Sequence, residues 1–287
     1  MVRRLFALCT IASIATLAGV GTAFADPSGF VSIGAGVLQR VLTSGALSES
    51  VDGYGGEGRA SGTYQFTPVL GVQGDVVLGL DRLDNGLFEY DRSSIDLALH
   101  GFYRDPERFL IGTFAQFGRD TLSSGGPSSL SLDRTYFGGE AQFFVDSLTL
   151  YAQGGMQTLS YADIPAAPGL DGLFGSLEAR YFLTPDFRID AHAGLSTLTD
   201  GVVPTTTATT LNAGVGAEYR FENLPVSLFA TYDYYHTTYD YAPDFSIDDH
   251  RVMVGVKFGI GEDSLQDRDR NGSSLKPVRS VMFGGTN

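Results

Sequence analysis

Apolar and polar residues alternate along most of the chain from about residue 29 onward. In residues 173–183, one set of side chains is Leu173, Gly175, Leu177, Ala179, Tyr181 and Leu183. The intervening set is Phe174, Ser176, Glu178, Arg180 and Phe182. A period of two places alternate side chains on opposite faces of a β-strand, so the pattern predicts strands. After residue 25 the sequence shows no amphipathic helix of useful length.

The alternation divides into twelve segments, many of them about 10 to 14 residues long. The predicted strands are 29–38, 56–66, 69–81, 93–103, 108–118, 132–145, 147–158, 171–183, 186–197, 208–222, 225–238 and 247–260. A strand in a soluble protein averages about five or six residues, whereas a tilted strand that crosses a bilayer needs about 9 to 11. The lengths therefore favour strands that span a membrane.

The connections between these strands alternate between short and long. The short ones lie at 67–68, 105–107, 146–147, 184–186 and 223–225. The long ones lie near 39–55, 82–92, 119–131, 159–170, 198–207 and 239–246. Short turns at one rim and longer loops at the other are typical of an outer-membrane barrel. We therefore predict an all-β fold, a closed antiparallel transmembrane barrel of about twelve strands, with short periplasmic turns and longer extracellular loops.

A secreted β-sandwich is the alternative fold, since its strands would also alternate. It would require neither strands this long nor a short connection after every second strand. One face of the predicted strands carries almost no charge, and in water that face would be a large apolar patch. In a bilayer the same face matches its surroundings, and closure of the sheet removes the unpaired edges that lipid cannot satisfy.

The amino-acid composition argues against several classes of protein and of binding site. The 287 residues carry a net charge of −14, which disfavours nucleic acid as a partner because phosphates attract Lys and Arg. The only cysteine is Cys9, so a disulfide framework and a cysteine-ligated metal site are excluded. Trp is absent, and the interfacial girdle must consist of Tyr and Phe. Candidates beside the short turns are Tyr103, Phe109, Tyr181, Phe187, Tyr219 and Phe221.

The two ends of the chain differ from the barrel region. Residues 1–25 have the form of a secretory signal peptide, with Arg3 and Arg4 before an apolar run and cleavage predicted after Ala25. Residues 26–261 form the predicted barrel. Residues 262–287 are polar and rich in Asp, Arg, Gly and Ser, and we expect a disordered or weakly docking periplasmic tail. The predicted location is the cell outer membrane of a Gram-negative bacterium, after export by the Sec pathway.

Four short sequence motifs resemble motifs of a known protein family. They are Gly71-Val72-Gln73-Gly74-Asp75, Phe102-Tyr103-Arg104-Asp105-Pro106, Tyr181-Phe182-Leu183-Thr184-Pro185 and Ser264-Leu265-Gln266-Asp267-Arg268-Asp269-Arg270. These motifs are similar to motifs in a poorly characterised, porin-like family of alphaproteobacterial outer-membrane β-barrels. The last strand, with Met253, Gly255, Phe258 and Ile260, also resembles the signal recognised by the barrel-insertion machinery. The resemblance implies a fold and assigns no catalytic residue.

The alternation also predicts which side chains face the lumen. The charged candidates are Arg59, Asp75, Asp96, Glu140, Glu178, Arg180, Arg188, Asp190, Glu218, Arg220, Asp233, Arg251 and Lys257. The neutral polar candidates are Gln73, Gln116, Gln142, Gln153, Asn212 and Thr231. These charges could pair across the lumen and fill it, or face a narrow water channel with a transverse field. Because no loop much exceeds 17 residues, we do not expect a large inserted plug.

Other chemistry has weaker support. His100 lies two residues after Asp96, and His192 lies two after Asp190, where a His–Asp pair could serve Ser196 as a base. No nucleophile motif surrounds any serine, and a polar lumen network is the favoured interpretation. The aromatic run 232–241 could stack on sugars, although an interfacial girdle is favoured. Acidic groups near Asp81 and Asp248 do not match a calcium loop, so we predict no metal, cofactor or catalytic site.

The predicted function is passive diffusion of small hydrophilic solutes through a narrow channel. A non-conducting structural or surface-interaction barrel is the alternative, and a rim-sited lipid-modifying enzyme is a weaker one. The expected partners are outer-membrane lipid, lipopolysaccharide and the barrel-insertion machinery.

Overall fold

The computed structural model describes residues 27–84, 89–124, 129–164, 169–200, 207–240 and 242–279. The predicted signal peptide lies outside these residues. The elements are β1 Ser28–Ser44, β2 Leu47–Gln65, β3 Leu70–Asp84, β4 Glu89–Asp105, β5 Phe109–Ser123, β6 Ser129–Val145, β7 Leu148–Tyr161, β8 Leu170–Thr184, β9 Phe187–Asp200, β10 Thr207–Arg220, β11 Val226–Tyr239, β12 Ala242–Ile260 and α1 Leu265–Asn271. No helix in this described part of the chain is long and apolar enough to cross a bilayer.

The twelve strands form one closed antiparallel barrel in which each strand pairs with its neighbours in sequence. The first and last strands complete the ring, from the pair Gly29 and Ile260 to the pair Ser44 and Phe245. Closure gives every strand two partners and leaves no open edge, as a barrel in lipid requires. The predicted fold class is confirmed.

Burial alternates along each strand as the sequence pattern predicts. In β4, Leu97 and Leu99 are 48% and 61% exposed on the outer face, whereas Asp96 and His100 are 3% and 0% exposed. The outer face is thus apolar and accessible, and the inner face is polar and enclosed. In a soluble protein this arrangement would be inverted, so the outer face is suited to lipid.

The strands are longer than predicted at the extracellular end. The expected loop 39–55 is a hairpin whose strands β1 and β2 pair until Ser44 and Leu47, and Gly45 has a φ of 59° at its tip. The Ser-, Gly- and Glu-rich composition of these strand ends resembles a loop, yet the backbone still finds partners across the hairpin. The short turns occur where predicted, and Asp146 and Asn223 adopt the left-handed conformation there, with φ of 49° and 61°.

The C-terminal segment departs most from expectation. After β12, Gly261 turns the chain with a φ of 83°, and α1 begins behind Ser264, whose side chain accepts a hydrogen bond from the Asp267 amide. Residues 272–279 then continue as an extended segment among the inward-facing side chains. The prediction of a disordered or weakly docking tail is therefore wrong for residues 262–279.

Burial explains why the segment docks. Leu265 and Leu275 are fully buried, and Val278 is 6% exposed. These few apolar residues are spread through a polar sequence, so its average composition concealed them. The expectation that no large plug enters the lumen was drawn from the loops alone, whereas the segment that occupies the lumen follows β12.

Candidate functional site: an occupied lumen

All but one of the charges predicted for the lumen lie on the inward face of the strands. Arg59, Asp75, Asp96, Glu140, Glu178, Arg180, Arg188, Asp190, Glu218, Asp233, Arg251 and Lys257 have side chains exposed by at most 14%, or belong to residues that are buried. Arg220 instead lies at the periplasmic rim, where it contacts Asp186 and donates to the carbonyl oxygens of Glu262 and Asp263. The structure brings the inward-facing charges together in three networks.

The first network crosses the extracellular half of the lumen. Arg92 contacts Asp81 at 3.1 Å and Asp120 at 2.8 Å, and Arg134 contacts Asp120 at 2.8 Å and Asp96 at 3.2 Å. Arg251 reaches Asp81 from β12, at 3.2 Å. Since each charge is buried beside an opposite one, the network satisfies groups that would otherwise be costly to enclose.

Sequence analysis missed part of this network. Arg92, Asp120 and Arg134 fell in or beside stretches assigned to loops, so their inward orientation was not considered. The period of two continues through them, and extending the alternation past the apolar core of each strand would have found them. Asp81, weighed as a calcium ligand, is held by two arginines instead.

The second network surrounds a fully buried histidine. His100 Nδ1 lies 2.8 Å from Glu140 Oε1, and Nε2 lies 3.5 Å from Asp75 Oδ2. Tyr151 donates to Glu140 at 2.7 Å, and Arg59 pairs with Asp75 at 2.8 Å. The sequence suggested Asp96 as the partner of His100, but the carboxylates come from β3, the adjacent strand, and from β6, two strands away.

The third network is centred on Glu218 of β10. Its carboxylate contacts Lys257 at 2.8 Å, Arg188 at 3.2 Å and Arg268 of α1 at 2.6 Å. Arg188 also lies 3.3 Å from Asp190. One wall carboxylate therefore joins two strands to the C-terminal segment.

The C-terminal segment brings its own charges to the wall. Arg180 lies between Glu178 at 2.7 Å and Asp269 at 2.6 Å. Lys276 contacts Glu178 at 2.8 Å, and Arg279 contacts Asp233 at 3.1 Å. The lumen wall and the C-terminal segment are thus complementary in charge at several positions along the segment.

Four glutamines of the wall hold the backbone of the segment. Gln73 donates to Leu275 O at 2.7 Å and accepts from Leu275 N at 3.1 Å. Gln116 donates to Val278 O at 3.1 Å and accepts from Val278 N at 2.6 Å. Gln142 donates to Ser274 O, and Gln153 donates to Lys276 O. A primary amide offers one donor and one acceptor side, so it can pair with both polar groups of a peptide unit.

Two apolar pockets between these polar layers receive side chains of the segment. Leu275 lies in a buried cluster with Phe102, Leu110, Phe144 and Tyr151. Val278 lies in another cluster with Phe114, Tyr136 and Phe174. Beyond them, at the extracellular end, Leu122, Leu132, Leu159 and Leu198 form a third buried cluster. The described part of the lumen therefore alternates between charged and apolar layers.

Space remains on the opposite side of the segment. A cavity of about 70 Å³ lies against β1, β2 and β9–β12. Its charged lining includes Arg188, Asp190, Glu218, Asp233, Lys276 and Arg279. A second cavity of about 40 Å³ lies against β7–β10, where Ser176 and Asn212 contribute to its lining. The C-terminal segment therefore leaves some unfilled space beside it in the lumen.

The remaining candidates occupy other places. His192 contacts Asp233 at 3.2 Å and Arg279, while Ser196 is buried on the same strand. On the outer surface, Tyr234 and His236 both contact Asp248, at 2.5 and 2.8 Å. In the described ranges, no group of three or more His, Asp or Glu side chains is placed to hold a metal ion.

No protein-family model and no curated protein sequence matches the chain. In contrast, solved structures match it in fold. An outer-membrane channel from Pseudomonas putida F1 matches with a TM-score of 0.60 and 12% identity, over 84% of this chain and 100% of that chain. The fold is that of an outer-membrane β-barrel.

Two further solved structures are more distant. The translocator domain of autotransporter NalP from Neisseria meningitidis matches with a TM-score of 0.49 and 16% identity, over 80% of this chain and 88% of that chain. The CymD monoaromatic hydrocarbon channel matches with a TM-score of 0.48 and 11% identity, over 82% and 89%. At such identities the likeness concerns the fold, and the resemblance to an alphaproteobacterial family stays a prediction.

Proposed function

We propose that the protein is an outer-membrane channel for small hydrophilic solutes that is closed, in the conformation described, by its own residues 264–279. The supporting observation is that the obstruction is a segment that follows the last strand and is not part of the wall. All twelve strands pair without it, so its departure would leave the closed sheet complete. The charged cavity of about 70 Å³ already lies beside it.

Displacement of the segment would expose charges of both signs to water. Arg188 and Lys257 lie on the β9–β12 side, and Glu178 and Asp233 would each lose a basic partner. Fixed charges of opposite sign facing a narrow aqueous path create the transverse field expected of a general pore. In this proposal the protein is a transporter and not an enzyme, and it reaches the outer membrane through its predicted signal peptide.

A non-conducting barrel is the second candidate. Three ion-pair networks and three buried apolar clusters fill much of the lumen. If the segment never leaves, these layers serve stability alone. The two candidates differ in one measurable property, which is whether the lumen conducts when the segment is free to move.

A reversible lock on the segment tests the proposal. The hydroxyl oxygens of Thr63 and Ser273 are 2.8 Å apart, so the double variant T63C/S273C places two sulfur atoms within reach of a disulfide. The only natural cysteine is Cys9, inside the predicted signal peptide. We expect no channel events in planar bilayers when the pair is oxidised, and intermittent openings after reduction. Wild-type protein should behave like the reduced variant.

The single variants T63C and S273C, given the same oxidant, are the matched controls and should keep conducting. Equal conductance of the oxidised and reduced double variant would show that the segment does not close the lumen. Complete silence of wild type and of the reduced variant would favour the non-conducting barrel.

A further inference from the structure

We propose that the lumen is a binding site for short, extended, cationic oligopeptides, and that residues 272–279 occupy this site as an internal ligand. The inference rests on the proposed function, since a free peptide can enter only when the segment leaves. Three features of the occupied site define the class of ligand: how its backbone is held, which side chains find pockets, and which charges face it.

The backbone contacts do not depend on the identity of the ligand's side chains. Gln73 and Gln116 each bond both the amide and the carbonyl of one residue, Leu275 and Val278 respectively. Arg59 donates to the same Leu275 carbonyl oxygen as Gln73, and Arg104 donates to the carbonyl oxygen of Gly272, at 2.9 Å each. Any extended peptide offers the same groups, so these contacts select a conformation and tolerate different sequences.

The side-chain contacts add a simple pattern. Two apolar residues three positions apart enter the two pockets, which are lined largely by aromatic rings. Between and after them, Lys276 and Arg279 meet Glu178 and Asp233. The chemistry therefore favours an apolar residue, then a basic residue, and the same order again three positions later.

The charges left on the wall explain why the ligand is basic. Glu178 would keep only Arg180 as an ion-pair partner among the described residues, and Asp233 would keep His192. A buried carboxylate that loses a cation is costly to leave unpaired, so the vacated site attracts a new cation. Acidic peptides would meet like charge at the same two positions.

The adjoining cavities allow variation in size. Lys276 and Arg279 both border the cavity of about 70 Å³, and Val278 borders the one of about 40 Å³. Side chains slightly larger than those of the segment could extend into this space. The site is therefore suited to a class of peptides and not to one sequence.

Direct binding to the full-length chain tests the inference. The variant K276E/R279E keeps the wall intact and turns the two basic anchors of the segment into charges that the wall repels. In lipid nanodiscs, a fluorescein-labelled peptide with the sequence of residues 272–279 should bind it in an anisotropy titration. The wild-type protein should bind at least tenfold more weakly, because its own segment competes.

Variants of the wall and of the peptide test the mechanism. Adding Q73A/Q116A to K276E/R279E should weaken binding by about tenfold to a hundredfold, because four hydrogen bonds to the peptide backbone are lost. Q157A is the matched control, since Gln157 is an inward-facing glutamine bonded to Leu173 O and Thr197 O. The peptide with Lys276→Glu and Arg279→Glu should not bind, whereas one with Leu275→Met and Val278→Ile should bind within a few-fold.

Equal binding by the Q73A/Q116A and Q157A proteins, or equal binding of the acidic peptide, would overturn the inference. The lock provides a second measurement that needs no charge reversal: oxidised T63C/S273C should exclude the peptide, and reduction should restore binding. Binding is measured without conductance, so the two proposals fail separately. A protein that conducts after reduction but never binds peptide contradicts this inference alone, and one that binds but never conducts contradicts the channel alone.

Discussion

Arg180 of β8 donates to Asp269 of α1 at 2.6 Å, and both side chains are 1% exposed. The second carboxylate oxygen of Asp269 accepts from Thr149 of β7, at 2.5 Å. A helix outside the barrel would not need such a pair, because exposed ion pairs contribute little. The contact fixes α1 against the inner wall and so sets the point from which residues 272–279 enter the lumen.

Removing this charge should loosen the segment. We expect D269N to destabilise the docked state by about 3 kcal/mol, the lower end for a broken buried pair, because Arg180 keeps Glu178. Limited trypsin digestion should then cleave at Arg268 and Arg270 far faster than in wild type. The control is D263N, at an exposed position just before the helix. Equal protease resistance of the two variants would contradict a role for the buried pair.

The two faces of the wall should respond differently to a new charge. Arg in place of Leu97, Leu177 or Val254 should cost about 2–4 kcal/mol near mid-bilayer. These side chains are 48%, 67% and 60% exposed on the outer surface. Arg in place of Ser176 or Asn212, which border the cavity against β7–β10, should cost much less. Reversible unfolding from vesicles measures both sets, and equal losses would contradict the assigned faces.

Glu262 should make stability depend on pH. Burial at the periplasmic rim raises its pKa to about 7 from the ordinary 4.5, and the nearby Arg268 offsets only part of that. The folded state thus binds the proton more tightly than the unfolded state does. Its stability is complete below about pH 4.5 and falls as the pH rises to about 7, where the carboxylate ionises.

The substitution E262Q separates this effect from others. It removes the ionisable group, so the variant should equal wild type near pH 4 and exceed it in free energy of unfolding at pH 8. E222Q, at an exposed position of the same rim, should leave the pH profile unchanged. A wild-type profile that E262Q does not flatten would show that another group is responsible.

The barrel could be predicted from sequence because a repeated physical rule produces it. Alternation fixes the face of each residue, and twelve repetitions of the pattern average out local exceptions. Arg92 and Asp120 were not predicted to face the lumen because they lie where the strands extend beyond the apolar band. In that region the outward-facing residues are also polar, so the alternation is harder to recognise. Their partners could not have been predicted, since pairing across the lumen depends on register and closure, which a single strand does not encode.

The C-terminal segment could not be predicted for a different reason. It has no period, and its docking depends on complementary groups from five or more strands. Gln73 and Gln116 were predicted to face inward. Nothing near them in sequence indicates that their side-chain amides would form hydrogen bonds with backbone groups 160 or more residues later. Leu275 and Val278 were the available signal, as isolated apolar residues in a polar tail.

Arg188 and Arg220 were both predicted to face the lumen, and the structure places them in different surroundings. Arg188 borders the cavity between Asp190 and Glu218, whereas Arg220 holds the carbonyl oxygens of Glu262 and Asp263 at the base of the segment. R188E should therefore shift the reversal potential of open channels toward cation selectivity in a salt gradient. R220E should mainly raise the open probability, because the segment loses the hydrogen bonds from Arg220 to the carbonyl oxygens of Glu262 and Asp263.

The charge-conserving variants R188K and R220K provide the controls and should stay close to wild type in both measurements. Each variant is recorded in the reduced T63C/S273C background, so that oxidation afterwards closes the same channels and identifies their openings as those of this protein. If R188E changes open probability alone, the ions do not pass the cavity beside Glu218. If R188E stays silent and loses several kcal/mol of stability, its partners Asp190 and Glu218 are stranded in a permanently filled lumen. That result would favour the non-conducting barrel, since a charge beside a water-filled path should alter selectivity more than stability.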